Sequence, residues 1–389
     1  MANAWRVGIV KDTSKPMLGL HGLDTAFRGL PDVDVIAHVD SNTEDLELKL
    51  AYTGARRHYA TLADMLADEP PDIVVLTSRH PYDHLEQVQV AAEAGCHIYC
   101  EKPLAANLRE ADEIVRIVER ARIKLCMAHP SRYSLPFRTM KAMLEAGEIG
   151  APVTVYGRGK CDHRGGGEDL MVLGTHILDL QTLILGAPEY VYADVTCNGR
   201  PIVAGDRIET VEPIGPAAGD EVFAYFRFPG NVRGVFESRR GLLDPKSGCV
   251  YMGLTVVGTE GTLSKRFVDG GMPDSGLRIS RRPGPPEDDS CFEIVPLIED
   301  RVIPGAEPLD YTIWGPNITP GTRFFLDANR FAAWDLICSI EENRQPVSNA
   351  YNARVALEMI QGIYASHLRG GKVTFPLQDR AHPLGEAQG

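Results

Sequence analysis

The run PDIVVLTS at 71–78 constrains the fold more than any other stretch. It is short, almost continuously apolar, and opened by proline. A strand of that kind is buried on both faces, which is the habit of a parallel sheet covered by helices. WRVGIVK (5–11), VDVIAHVD (33–40), HIYC (97–100) and IKLCMAH (123–129) repeat the pattern. Helical stretches fall between them. A loop and a helix, LGLHGLDTAFRGL, follow the first run, and ADMLAD is opened by Thr61 with Asp64 three residues on. DHLEQVQVAAEAG stops at Gly95, and a longer helix covers 108–122, opened by Asn107 with Glu110 in capping-box spacing. Strand and helix in alternation predict an α/β, Rossmann-type doubly wound parallel sheet.

Near residue 130 the pattern changes. A helix, PFRTMKAMLEAGEIG, leads to APVTVYGRGK and to a helix at about 169–185. Then come EYVYADVTCN, EVFAYFRF, VRGVFESR, VYMGLTVVG, GTLSKRFV, GLRISRR and CFEIVPL, with no helix between them. Such a succession predicts a C-terminal α+β domain with a large, mostly antiparallel sheet. Pro-rich loops at 282–287 and 303–320 interrupt it. FFLDANRFAAWDLICSIEEN and YNARVALEMIQGIYASHLRG are closing helices before VTFPL and a loose tail. The expected domains are 1–129 and 130–389.

Composition narrows the function. A net charge of −13 over 389 residues argues against nucleic acid and against an anionic membrane surface as partner. No apolar run approaches the roughly 20 residues that span a bilayer, and MANAWRVGIVK lacks the pattern of a signal peptide. The eight cysteines are scattered, and Cys96 and Cys100 have no second ligand pair downstream, so core thiols rather than metal ligands are expected. A reducing, cytoplasmic setting is the expectation.

Three segments carry chemistry. In IYCEKPLAAN (98–107) a buried strand runs into Glu101-Lys102-Pro103. Pro103 keeps Lys102 out of the helical region, at a strand's carboxyl end where doubly wound sheets bind ligands. The plainer alternative is a solvated lysine beside a turn proline. Asp40 ends the second strand, where a dinucleotide fold places an acid for the ribose hydroxyls; an acid there favours NAD over NADP. A strand-end turn aspartate is the alternative. The first loop, KDTSKPMLG, lacks the G-x-G-x-x-G fingerprint, leaving Thr13, Ser14 and Lys15 as possible phosphate donors, or no phosphate site at all. In GGGEDLMVLGTHILDL (165–180), Asp169, Val172 and His176 would share one helix face, with Asp169 and His176 roughly 10 Å apart along the axis. His176 reads as a general base or as a core histidine bonded to Asp179.

Together these segments resemble the Gfo/Idh/MocA family of NAD(P)-dependent sugar oxidoreductases, over nearly the whole chain. LTSRHPYDHLEQVQVAAEAGCHIYCEKPLAANLREADEIV, with its Glu-Lys-Pro, is the most specific match. HPSRYSLPFRTMKAMLEAGEIGAPVTVY, GLTVVGTEGTL and NARVALEMIQGIYASHLRGGKVTFPL also fit. The resemblance implies a dinucleotide-binding first domain and a substrate-binding, oligomerising second one. It implies Lys102 and His176 as catalytic residues. Asp12, Thr13, Ser14, Lys15, Asp40, Ser41, Ser78, His80, His84, Glu101 and Lys102 are the implied cofactor contacts. Arg132, Tyr133, Asp162, His163, Asp169 and Arg239 are the candidate substrate contacts, placed by segment. Two departures stand out: the glycine fingerprint is absent, and Val172 replaces the family's aspartate four residues before the histidine. The expected activity is NAD-dependent hydride transfer from a secondary alcohol of a sugar, cyclitol or glycoside, with no metal. Redox-assisted glycoside cleavage, or a non-catalytic sugar or dinucleotide sensor, are the alternatives. An open sheet face in the second domain predicts a homodimer or homotetramer.

Overall fold

The computed structural model describes residues 4–15, 21–242, 252–267, 276–286, 289–299 and 302–385. The first loop beyond Lys15, the first three residues of LGLHGLDTAFRGL, the ends of VYMGLTVVG and GTLSKRFV, Glu287 and the last four residues lie outside these. The chain forms two compact units, each discontinuous: Met1–Tyr133 with Arg301–Ala353, and Ser134–Asp300 with Arg354–Gly389.

The first unit is built on β1 (Trp5–Val10), β2 (Val33–Val39), β3 (Arg57–Tyr59), β4 (Ile73–Leu76), β5 (His97–Cys100) and β6 (Leu125–Met127). Their order is β3-β2-β1-β4-β5-β6 and every pairing is parallel. Strand order reverses between β1 and β4, the crevice where open α/β sheets bind ligands. Ile73, Val74, Val75 and Leu76 are all fully buried, as a two-sided strand requires. Helices α1 (Leu46–Thr53), α2 (Leu62–Asp68), α3 (His84–Glu93) and α4 (Leu108–Ala121) connect the strands. The two caps expected for α2 and α4 form: Thr61 accepts from Asp64 N at 3.1 Å, and Asn107 from Glu110 N at 3.0 Å.

Two local expectations differ from the structure. Within the described part of LGLHGLDTAFRGL there is a single 3₁₀ turn, Leu23–Thr25, rather than a helix. Leu23, Ala26, Phe27 and Leu30 are buried at helix-like spacing. Yet Gly22 is left-handed (φ 79°), and a Cβ there would meet the Trp314 indole at 2.3 Å, so close packing overrides the periodicity. The α1–β3 segment was not anticipated: Leu46, Leu48 and Leu50 alternate like a strand, and Leu48 is 69% exposed, so no helical face is legible.

Residues 301–353, which the sequence leaves in the second domain, pack with the first unit. Helix α8 (Pro320–Glu341) places Ala328, Ala332, Ala333, Leu336 and Ile337 in one core with Val7, Ile9, Phe27, Ile73, Val75 and Tyr99. One face of the parallel sheet is covered by a helix that begins nearly two hundred residues after its last strand.

The second unit carries β7 (Pro152–Arg158), β8 (Tyr190–Cys197), β9 (Arg200–Pro201), β10 (Glu221–Arg227), β11 (Arg233–Arg239), β12 (Gly253–Gly258), β13 (Thr262–Arg266), β14 (Leu277–Ser280), β15 (Glu293–Ile294) and β16 (Val373–Thr374). They form a ten-stranded sheet in which β7–β11 is parallel and the other pairings are antiparallel. Inward residues alternate along it: Val222, Ala224 and Phe226 are buried while Phe223 is half exposed. Helices α5 (Leu135–Glu145), α6 (Gly167–Val172), α7 (Gly174–Leu185) and α9 (Ala350–Arg369) complete the helix set.

The single helix expected at 169–185 is two, broken at Leu173. A Cβ on Gly174 would lie 2.9 Å from the Phe236 ring, so the chain approaches the sheet closely at this point. Asp169 and His176 therefore sit on different helices, so i and i+7 spacing along one continuous helix does not apply to them. No helix among the described residues is long and apolar enough to cross a membrane.

Candidate functional site

In the first unit the reactive groups gather at the carboxyl ends of the strands. Lys102 is 2% exposed, which removes the solvated-surface reading. Its backbone N–H donates to Glu101 Oε1 at 3.0 Å, and Glu101 Oε2 lies 3.1 Å from His21 Nδ1. Burial pushes the Glu101 carboxyl up, but His21, then Lys102 and Arg79, outweigh it and hold its pKa at about 2. Burial lowers the His21 pKa against the pull of Glu101. A neutral His21 gives its Nδ1–H to the carboxylate in this arrangement. The ring is fixed: it stacks on Phe325 with centroids 5.2 Å apart, and its backbone carbonyl accepts from Asn329, which also accepts from Tyr99 Oη at 2.8 Å. His21 escaped the sequence reading because it lies in a loop without periodicity and reaches Glu101 from eighty residues away.

Asp40, at the end of β2, is 1% exposed. Its Oδ1 accepts from Thr13 N (3.2 Å) and Asn42 N (3.0 Å), and its Oδ2 from Thr13 Oγ1 (2.6 Å) and Lys49 Nζ (3.0 Å). Burial raises its pKa, but bonds from Thr13, Lys49 and Asn42 prevail and leave it below the ordinary value. Ser41 beside it is exposed. The first loop is tethered on its other side as well. Lys15 Nζ is 2.6 Å from Asp83 and 3.8 Å from Asp12, and Ser78 Oγ donates to Asp83 at 2.6 Å. Ser14 donates its N–H and hydroxyl to Asp12. His84 is buried between the carbonyls of Ser78 and Leu104. His80 Nε2 is buried without a hydrogen-bond partner among the described residues.

Thr13, Ser14, Lys15 and that orphaned His80 nitrogen belong to the loops that follow β1 and β4, the two strands flanking the reversal. Hydroxyls, an ammonium and a spare imidazole nitrogen suit a phosphate-bearing ligand where glycine amides are missing. The donor types present fit a dinucleotide's phosphates once Thr13, Ser14 and Lys15 leave the carboxylates of Asp40, Asp12 and Asp83 that hold them here.

Arg132 and Tyr133 belong to the first unit and to its interior. Arg132 Nη1 donates to Val347 O at 3.1 Å; Tyr133 Oη donates to Asp335 at 3.0 Å and accepts from Ser348 N at 3.0 Å. Arg132 Nη1 and the Tyr133 hydroxyl serve internal contacts.

In the second unit the turn Gly165-Gly166-Gly167 organises the rest. A Cβ on Gly165 would meet the Arg239 backbone at 2.4 Å, on Gly166 the Asp220 backbone at 2.6 Å, and on Gly167 the Ala218 carbonyl at 2.2 Å. Only glycine lets this turn press against the ends of β10 and β11. It brings Asp169 to β11: Ser238 Oγ donates to Asp169 Oδ2 at 2.5 Å, and Cys161 N at 3.2 Å. Asp169 Oδ1 is buried with no partner among the described residues, and burial raises the pKa of this group. Asp162 is buried beside Arg164 and Lys160; Arg164 also bonds Glu212 at 3.0 Å. His163 and Arg239 are exposed, Arg239 lying 3.8 Å from Glu221. His176 is 8% exposed, in the first turn of α7. A cavity of about 170 Å³ is lined by Cys161, Glu221, Phe223, Glu237, Ser238 and Arg239, among others. Of the expected substrate contacts, Arg239 lines it and Asp169 supports it through Ser238. Among the described residues no cluster of three or more His, Cys, Asp or Glu is placed to hold a metal.

Comparison with known proteins agrees with this architecture. A model described as an oxidoreductase family with an NAD-binding Rossmann fold matches residues 20–129, and the GFO/IDH/MocA C-terminal domain matches 137–264. The D-apiose dehydrogenase of Paraburkholderia graminis is 29% identical over 196 residues, 48% of this chain and 52% of its own. The D-xylose 1-dehydrogenase (NADP(+)) 2 of Haloferax volcanii is 30% identical over 149 residues, 36% of this chain and 45% of its own. The chain thus spans about half the length of the curated relatives it matches. An NAD binding oxidoreductase from Klebsiella pneumoniae superposes with a TM-score of 0.71 at 23% identity, covering 97% of this chain and all of that one, a likeness of fold.

Proposed function

The chain belongs to the Gfo/Idh/MocA oxidoreductase family, and from that premise we propose that it moves a hydride between a nicotinamide dinucleotide and a secondary alcohol of a sugar, cyclitol or glycoside. The observation that carries this reading is Lys102, buried at the end of β5 and anchored through Glu101. The dehydrogenase names of the D-apiose and D-xylose relatives support it. When bound, the dinucleotide supplies the hydride-accepting ring, the hard part of the chemistry. The protein's share is orientation and proton handling. Lys102 holds the reacting hydroxyl and draws electron density from its oxygen. His176 is assigned as proton acceptor, since an imidazole can take a proton near neutral pH. Thr13, Ser14, Lys15 and His80 are assigned to the phosphates, and Asp40 with Ser41 to the adenosine ribose. Asp162, His163, Asp169 and Arg239 remain the assigned substrate contacts. Tyr133 is not retained, because its hydroxyl is engaged by Asp335 and Ser348, whereas Arg132 stays a proposed contact.

The test is a panel of sugars, cyclitols and glycosides offered with NAD and NADP, read by absorbance of the reduced nicotinamide. Lys102→Ala should lower turnover of any responsive substrate by about 10²- to 10⁴-fold. Full turnover in that variant would end the role assignment.

We further propose self-association through the outward face of the ten-stranded sheet, as a homodimer or homotetramer. Tyr156, Tyr192 and Phe223 are 39%, 47% and 49% exposed, and strand pairing sets them on one side of the sheet. A monomeric mass by light scattering would remove this proposal.

A further inference from the structure

The acid at the end of β2 is the feature on which a preference for NAD would rest: its charge repels a 2′-phosphate and its oxygens accept the ribose hydroxyls. Here neither property is available as it stands. A carboxylate offers about four acceptor positions, and those of Asp40 are filled by Thr13 N, Asn42 N, Thr13 Oγ1 and Lys49 Nζ. Its charge is matched by the Lys49 ammonium at 3.0 Å. That ammonium is held in place: its other bonds go to Thr13 Oγ1 at 2.8 Å and Asn42 O at 2.6 Å. His38, 3.8 Å from the same carboxylate oxygen, adds no positive charge near neutral pH, since burial lowers its pKa to about 4. Lys49 lies on α1, next to Leu50, which packs on the core of the first unit.

We infer that Lys49 is the residue that sets the choice between NAD and NADP in this chain, and that the site admits the 2′-phosphate of NADP. This rests on the dinucleotide reading above. A phosphate arriving at the ribose end meets an ion pair of no net charge instead of a bare carboxylate, with Lys49 able to turn its N–H groups from Thr13 and Asn42 to the phosphate oxygens. A cofactor without that phosphate has to displace Thr13 or Lys49 to reach Asp40.

The experiment is fluorescence titration of the full chain with NADH and with NADPH, which needs no substrate. The wild-type protein should bind the two within about tenfold of each other, NADPH weakening more steeply with added salt. Lys49→Met should lose about tenfold to a hundredfold in NADPH affinity relative to NADH, and Lys49→Arg should keep the wild-type ratio. A wild-type preference for NADH beyond a hundredfold overturns the inference. So does a ratio unchanged in Lys49→Met. The wild-type ratio decides the matter even where the methionine variant does not fold. Wild-type protein that is folded yet binds neither nucleotide overturns the dinucleotide reading, and this inference with it.

Discussion

Asp40 and Asp169 are both 1% exposed, yet their acidities move in opposite directions. Burial acts on each in the same sense, disfavouring the charge. What differs is the number and kind of donors the fold supplies. Asp40 receives four bonds, one from an ammonium; Asp169 receives only a hydroxyl and the backbone amides of Cys161 and Lys160, with no charged donor, and among the described residues its Oδ1 has no partner. The first is a stable carboxylate built into a closed network. Burial holds the pKa of the second above its ordinary value. Burial alone does not decide the state of an acid; its bonded partners do.

The largest effect expected from breaking this contrast is at Asp40. Asp40→Asn leaves the Lys49 ammonium without its counter-charge and should cost about 3–5 kcal/mol in denaturant unfolding. A loss below 1 kcal/mol would mean the network is ornamental. Next is the turn that delivers Asp169 to β11. Gly166 has φ of 91° and no room for a Cβ, so Gly166→Ala should cost about 3 kcal/mol or more from strain and overpacking combined. Gly95→Ala is the control: its φ is 77° with nothing near a Cβ, and the cost should be only about 1 kcal/mol.

Glu101 sharpens the comparison as a third buried acid, held ionised by His21 ahead of Lys102 and Arg79. His21→Ala removes a bond to a charged group and should cost about 1.5–3 kcal/mol at pH 7. Because the native pKa of about 2 lies below the unfolded value of 4.5, the stability Glu101 contributes is present above pH 4.5 and is lost as pH falls toward 2. That acid-side loss should shrink in the variant; an unchanged pH profile would detach His21 from Glu101.

The smallest effect is at Asp169. Asp169→Asn should change stability at pH 7 by about 1 kcal/mol or less, because the charge it removes is poorly compensated. The sign of its pH dependence is opposite to that of Asp40. A raised native pKa means that wild-type stability rises, relative to Asp169→Asn, as pH falls through the native pKa toward 3.8. A difference curve that falls over that interval would mean Asp169 is a bonded carboxylate after all.

Much of the fold was legible in the chain because its signals are local. Alternating apolar runs and capped helices located five of the six parallel strands, and Thr61 and Asn107 cap where their spacing said they should. The misses share a cause. Leu23, Ala26, Phe27 and Leu30 keep helical spacing in a segment that close packing against Trp314 turns aside. The spacing of Asp169 and His176 presumed a continuous helix, and the approach to Phe236 breaks it. Lys102 was legible as a strand-end lysine. His21 and Ser238 were not, since each meets its acid from a distant part of the sequence, nor was Lys49, nine residues from Asp40 but on a helix the apolar pattern does not announce.

The sequence by itself determined the two kinds of sheet, the place of Lys102 at a strand's end, and the absence of a glycine cradle, because periodicity and backbone constraints act over a few residues. Tertiary structure alone decided that α8 folds with the first unit, that Asp40 is paired and Asp169 is not, and that a lysine stands against the acid of β2. Charge state and core membership depend on which remote groups arrive within a few ångströms, and that is set only when the chain closes on itself.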